Sequence, residues 1–203
     1  MEIELIGSDV DYASNCYVLM SEGEAVLIDP SAPAAAVQNA LQAHRAELKA
    51  ILLTHGHFDH MLCLQDARTA FHAPVWIHEA DQSFVNDGMK NAYTLFFGRE
   101  GAYGFVDQTF SEGALFRIGN EEIRTIHTPG HTAGSCCFQS GKDLISGDTL
   151  FSMGYGRTDL YCGNDEELAA SLRRLATLER ELRLFDGHGP SATLGEALKY
   201  LGM

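Results

Sequence analysis

Residues 2–6 alternate polar and apolar side chains, and apolar runs follow at 15–20 and 25–28 with Ser21-Glu22-Gly23-Glu24 between them. The pattern predicts three strands, the second and third joined by a turn, with Asp29-Pro30 ending the third. Residues 31–46 carry helical spacing, with Ser31 as a cap, Pro33 in the first turn and Val37, Leu41 and His44 on one face. A strand at 50–53, a helix at 61–71 and a strand at 73–77 around Trp76 come next. Residues 79–112 are the least periodic, a glycine-interrupted stretch rich in aromatic side chains such as Phe84, Tyr93, Phe96 and Phe97. It reads as a short helix and an irregular cover over a sheet edge, or, functionally, as a substrate lid or dimer surface. Beyond it, residues 114–118 and 121–127 form a hairpin across Gly119-Asn120, and strands are expected at 135–139 and 143–145. A helix over 164–181 has Asn164 and Glu167 at capping-box spacing and a stripe of Leu168, Leu172, Leu175 and Leu178. A strand at 183–185 and a helix at 192–201 complete a mixed α+β pattern.

A chain of 203 residues suits a single domain over 1–203 with a core of its own. Its formal charge of −14 argues against a nucleic-acid partner, which needs a basic face. No apolar run reaches membrane-spanning length, and Met1-Glu2-Ile3-Glu4 has neither the basic flank nor the apolar core of an export signal. A cytoplasmic protein acting on a small molecule is expected, of open oligomeric state. The 5 cysteines (Cys16, Cys63, Cys136, Cys137 and Cys162) are odd in number and include no C-x-x-C pair, so free thiols are the simplest account.

Chemistry concentrates in Thr54-His55-Gly56-His57-Phe58-Asp59-His60-Met61, where an apolar strand ends. Three imidazoles and a carboxylate so close together suit a borderline-soft divalent metal such as zinc. Gly56 is expected to turn the backbone so that His55 and His57 aim at one point, and the start of the 61–71 helix to hold Asp59 and His60. Later strands end in the same residue types: His131 after Pro129-Gly130, Asp148 after Ser146-Gly147, and His188 between Gly187 and Gly189. His72, His78 and His127 read as structural, although His127 also suits a supporting place beside a ligand.

His-x-His-x-Asp-His after an apolar strand resembles the signature of the metallo-β-lactamase fold superfamily of metal-dependent hydrolases. Thr-Pro-Gly-His-Thr at 128–132, Ser-Gly-Asp at 146–148 and Gly-His-Gly-Pro at 187–190 match it in order. Gly-Arg-Thr-Asp-Leu at 156–160 gives the likeness a glyoxalase II-like cast. The resemblance implies a four-layer αββα sandwich and two divalent metal ions, zinc foremost, with iron or manganese also accepted by nitrogen and oxygen donors. It assigns His55, His57 and His131 to one ion, Asp59, His60 and His188 to the other, and Asp148 to both, with Asp59 also a catalytic proton acceptor. Asp29 is either a solvated turn residue or a carboxylate orienting a ligand histidine. Arg157 either grips a substrate carboxylate or braces its loop against Asp159.

The function so implied is hydrolysis of a small thioester or ester-like substrate by activated water, with no serine or cysteine nucleophile. A hydroxyacylglutathione is one such substrate. The chain ends 15 residues after His188, however, so the helical domain that supplies most glutathione contacts in full-length glyoxalase II is expected to be missing. Tyr161-Cys162 also departs from the small members' pattern beside the substrate wall. Zinc β-lactamases commonly place cysteine at one ligand position and carry an export signal. The superfamily's nucleases need an inserted domain, for which the 39 residues between Asp148 and His188 are too few. A mononuclear iron persulfide dioxygenase and a non-catalytic metal-binding protein of the same fold are the alternatives.

Overall fold

The computed structural model describes residues 1–203. The first half of the chain forms β1 (Glu2–Ile6), β2 (Cys16–Ser21), β3 (Glu24–Ile28), α1 (Ala34–His44), β4 (Glu47–Leu52), α2 (Leu64–Phe71), β5 (Val75–His78), α3 (Tyr93–Phe97) and β6 (Gln108–Phe110). The second half forms β7 (Leu115–Ile118), β8 (Glu121–His127), β9 (Cys136–Ser140), β10 (Asp143–Gly147), β11 (Leu150–Phe151), β12 (Gly154–Tyr155), α4 (Asp165–Leu175), β13 (Arg183–Asp186), β14 (Ala192–Thr193) and α5 (Leu194–Tyr200). One six-stranded sheet runs β1-β2-β3-β4-β5-β6, antiparallel over its first three strands and parallel from β3 onward. The other runs β14-β13-β10-β9-β8-β7, with β10 and β13 its parallel pair.

Strand alternation builds three apolar layers from this topology. Cys16, Val18 and Met20 of β2 face α1 and α2, while Tyr17 and Leu19 face the other sheet. Ala25 and Leu27 of β3 divide from Val26 and Ile28 in the same way. Burial on both faces is why these strands read as continuous apolar runs. Phe138 and Ile145 of the second sheet fill the space between the sheets, and Cys137 and Leu144 point outward beneath Leu168 and Leu172 of α4 and Leu194 and Leu198 of α5. The result is a four-layer αββα sandwich of two mixed sheets.

Several element ends differ from the pattern. α1 begins at Ala34 because the Ser31 hydroxyl donates to the Ser14 carbonyl (2.6 Å) instead of capping, and Pro33 precedes the helix in an extended conformation. Asp59 and His60 sit in a 3₁₀ turn, Phe58–His60, and α2 starts only at Leu64. α4 stops at Leu175, since the chain must turn back to pair Arg183 with Asp143; Leu178 still packs on the outer core from beyond the helix. Asn164 caps α4 by accepting from the Glu166 and Glu167 N–H groups, while the two-way capping box lies at Thr193 and Glu196 of α5. The aperiodic stretch holds 3₁₀ turns over Glu79–Asn86, then α3 and the edge strand β6. The cysteines are free thiols: Cys16, Cys136 and Cys137 are buried, Cys63 is partly buried and Cys162 is exposed.

Candidate metal centre

Loops leaving β4, β8, β10 and β13 meet at one place. His55 and His57 come from the first, His131 from the second, Asp148 from the third and His188 from the fourth, with Asp59 and His60 in the 3₁₀ turn. Three overlapping sets of potential ligand atoms each fall within 4.8 Å: His55 with His57 and His131, His55 with His60 and Asp148, and Asp59 with His60 and His188. Gly56 is needed here for space rather than for a turn, because any Cβ would run into the Phe84 side chain.

Hydrogen bonds behind the cluster aim its imidazoles. His131 Nδ1 donates to the Arg157 main-chain carbonyl at 2.7 Å, and His60 Nδ1 donates to Asp29 Oδ2 at 2.8 Å. The single hydroxyl proton of Thr54 goes to Asp29 Oδ2 (2.7 Å), so Thr54 Oγ1 accepts from His55 Nδ1 at 3.1 Å. Each contact fixes a proton on Nδ1 and turns Nε2 toward the cluster. His57 is reversed, with Nδ1 facing His131 Nε2 at 2.8 Å. Asp29 is therefore a buried residue touching His60 and Thr54, not a solvated turn residue, although it does adopt a left-handed backbone (φ 52°).

Two further carboxylates brace the loops. Asp81 accepts from Gly56 N–H (3.0 Å), Thr132 Oγ1 (2.6 Å) and Gly134 N–H (2.7 Å), tying the loop of His55 and His57 to that of His131. Burial lifts its carboxyl above the ordinary range even against those bonds. Asp186 accepts from the main-chain N–H groups of Ser152, His188 and Gly189, and so shapes the His188 loop.

The electrostatics divide the cluster. Burial and the neighbouring imidazoles hold His55 far below the ordinary histidine range, and burial with His131 pushes His57 down to about 3. Both rings are neutral, the state a metal ligand requires. Burial would also lower His60 and His188, but Asp148 with Asp29 outweighs it at His60, which rises well above the ordinary value. At His188, Asp148 and Asp59 raise the ring to about 9. The same contacts hold Asp148 and Asp59 below the ordinary carboxylate range although burial opposes them. Two carboxylates thus draw positive charge to this side of the cluster.

These donors fit divalent cations. His131 Nε2 lies 2.8 Å from His57 Nδ1 and 3.2 Å from His55 Nε2. Zinc–nitrogen bonds in tetrahedral geometry would hold such atoms roughly 3.3 Å apart. His60 Nε2 and Asp148 Oδ1 are buried 3.2 Å apart in an orientation that makes no hydrogen bond, so their ion pair leaves both atoms poorly satisfied and a cation between them would serve both. Asp148 Oδ2 also lies 3.6 Å from His131 Nε2 and 3.4 Å from His188 Nε2, so this carboxylate spans the two sides.

The cluster floors a cleft of about 510 Å³ whose walls include Tyr12, Phe58, Phe96, Phe151 and Tyr155. Arg157 reaches the cleft, half-exposed, with Nε and Nη2 donating to the two Asp159 oxygens at 2.6 and 2.7 Å. The sequence model of the Metallo-beta-lactamase superfamily matches residues 9–188. The chain belongs to that superfamily. A relative in Bacillus subtilis (strain 168), named probable metallo-hydrolase YqgX, is 33% identical over 180 residues, covering 87% of this chain and 85% of its own. Among solved superfamily-like structures, the BLEG-1 B3 metallo-beta-lactamase aligns with a TM-score of 0.88 at 33% identity, covering 98% of this chain and 97% of its own. TTHA1623 in a di-iron-bound form aligns at 0.82 and 30% identity, covering 98% of each chain. No helix of this superfamily member is long and apolar enough to cross a membrane.

Proposed function

We propose that the protein is a binuclear metal-dependent hydrolase of a small thioester or ester-like substrate. The observation that carries the reading is the buried His60 Nε2–Asp148 Oδ1 pair, poorly satisfied at the floor of the cleft beside three convergent imidazoles. His55, His57 and His131 would hold one ion, Asp59, His60 and His188 the other, and Asp148 both. When bound, such a pair supplies Lewis acidity and lowers the pKa of a shared water toward neutrality. Zinc suits this nitrogen and oxygen set, and the di-iron form of TTHA1623 supports iron as a second candidate.

The chain's own residues do the rest. Asp29, Thr54 and the Arg157 carbonyl hold ring tautomers, so the site needs little rearrangement during reaction. Asp59 Oδ2, 3.2 Å from His188 Nε2 and in the cleft wall, takes the proton lost by the attacking water. For a thioester, water oxygen bonds to the acyl carbon, the carbon–sulfur bond breaks, the proton held at Asp59 passes to sulfur and the acid's remaining proton is released to solvent, giving a carboxylate and a thiol. Phe58 and Phe151 make part of the wall beside this site apolar.

Metal analysis together with a panel of thioesters, a nitrophenyl ester and a chromogenic cephalosporin tests the reading. About two equivalents of metal with thioester or ester turnover is expected. His55→Ala, Asp59→Ala and Asp148→Ala should each lower kcat/KM by ~10³-fold, several kcal/mol of lost transition-state stabilisation, without loss of far-ultraviolet circular dichroism. Undiminished turnover in all three variants refutes the assignment. One iron per chain with oxygen uptake on a persulfide and no hydrolysis replaces it with the dioxygenase.

A further inference from the structure

Outside the metal centre, Arg157 is the only charged side chain that lines the cleft, and Asp159 already engages its guanidinium at two atoms. The remaining walls are apolar and aromatic. They have a fixed inner part and an open outer part. Phe58, between His57 and Asp59, is 4% exposed, and its ring meets Phe96 and Phe97 of α3 at 5.5 Å each, while Tyr12 packs edge-on to Phe97 at 5.4 Å. Toward solvent, Phe96 is 49% exposed and Tyr155, on the β11–β12 ribbon, is 56% exposed, and both line the cleft. Two exposed rings lining one cleft suit the burial of an apolar group.

We propose that this cleft selects carbonyl substrates whose groups on both sides of the scissile bond are uncharged, one of them apolar and of aryl size, with Phe96 and Tyr155 setting that selectivity. The inference rests on the hydrolase reading for its reaction but not for its binding surface. It separates this cleft from one for glutathione conjugates. A glutathione moiety carries two carboxylates, and a carboxylate that enters an apolar wall without a cation loses hydration that nothing returns. An aryl group gains on the same wall, by removal of apolar area from water and by edge-to-face ring packing.

The metal-loaded enzyme is assayed with S-phenylacetyl-2-mercaptoethanol, S-acetyl-2-mercaptoethanol and S-lactoylglutathione. The phenylacetyl thioester should exceed the glutathione conjugate in kcat/KM by about ten-fold or more. Phe96→Ala and Tyr155→Ala should each raise KM for the phenylacetyl thioester about five-fold and shrink its advantage over the acetyl thioester, a change in selectivity that general loosening of the fold does not produce. Phe96→Lys should narrow the gap to the glutathione conjugate. Calorimetric binding of N-(2-hydroxyethyl)phenylacetamide gives a second readout, expected to weaken in both alanine variants. Preference for the glutathione conjugate, or unchanged KM and amide affinity in both variants, overturns the proposal. Amide binding that weakens in the variants while no ester or thioester is hydrolysed upholds the selectivity and removes the hydrolase reading instead.

Discussion

Asp81 is a buried carboxylate that braces two loops of the candidate metal centre without belonging to it. Its three donors come from both histidine-bearing loops, so its loss frees those loops from each other. Asp81→Asn keeps the shape but turns an amide N–H₂ toward one main-chain N–H, that of Gly134 or that of Gly56. The cost should be about 1–3 kcal/mol, read as a lower Tm. Metal affinity should fall roughly 10–100-fold, read by competition with a chromogenic chelator. Equal affinity in wild type and variant would show that the loops hold their places without this tie. The sequence made the seven clustered side chains legible because they are metal-binding types just beyond apolar strands, four of them within six positions. Asp81 was not legible. In Glu79-Ala80-Asp81 it looks like an ordinary acidic residue opening a helical turn, and its partners lie 25, 51 and 53 positions away.

At the scale of elements, β5 and β8 belong to different sheets, yet their ends are joined by His78 and His127, stacked 4.1 Å apart at an 11° angle. His78 Nδ1 accepts from the Ala80 N–H, and the Glu112 carboxylate accepts from the His127 N–H. Burial, with His127 beside it, pushes His78 down to about 4 from an ordinary 6.5, even against Glu112. The unfolded chain therefore binds this proton more readily. The stability tied to the neutral ring is complete above pH 6.5 and declines as pH falls toward and through 4. Thermal unfolding at pH 7 and pH 5 should show a larger fall for wild type than for His78→Asn, by roughly 2–4 °C. Equal falls would place the acid sensitivity elsewhere. Most strands of both sheets, and the hairpin of β7 and β8, were legible from the alternation and the turn residues between them, whereas their order in the sheets was not. The starts of α1 and α2, the end of α4 and the three-residue β6 were not, because contacts distant in sequence decide them. The Ser31 hydroxyl bonding to Ser14 and the pairing of Arg183 with Asp143 are two such contacts.

Across the whole molecule, three apolar layers hold two sheets and their covering helices, and five histidines and two carboxylates gather where the loops of both sheets converge. Metal bound there would link the first sheet's His55, His57 and His60 to the second sheet's His131, Asp148 and His188. Ligand present at 100 times its dissociation constant stabilises a folded chain by about 2.7 kcal/mol. Removing metal with a chelator should therefore lower Tm by several degrees, and re-addition should restore it. A Tm that does not respond would mean that the sandwich alone fixes the loops.

One peptide unit serves two masters in this arrangement. The Arg157 carbonyl steadies His131 while its side chain faces the cleft, and Gly156 beside it has no room for a Cβ against His131 and the Asp148 carbonyl. Every amino acid at position 157 brings the same carbonyl, whereas position 156 admits only glycine. Natural drift or a mutagenic library can thus rewrite the mouth at 157 without unsettling the histidine cluster behind it. New preferences are open to this scaffold one codon at a time, provided its neighbour stays fixed.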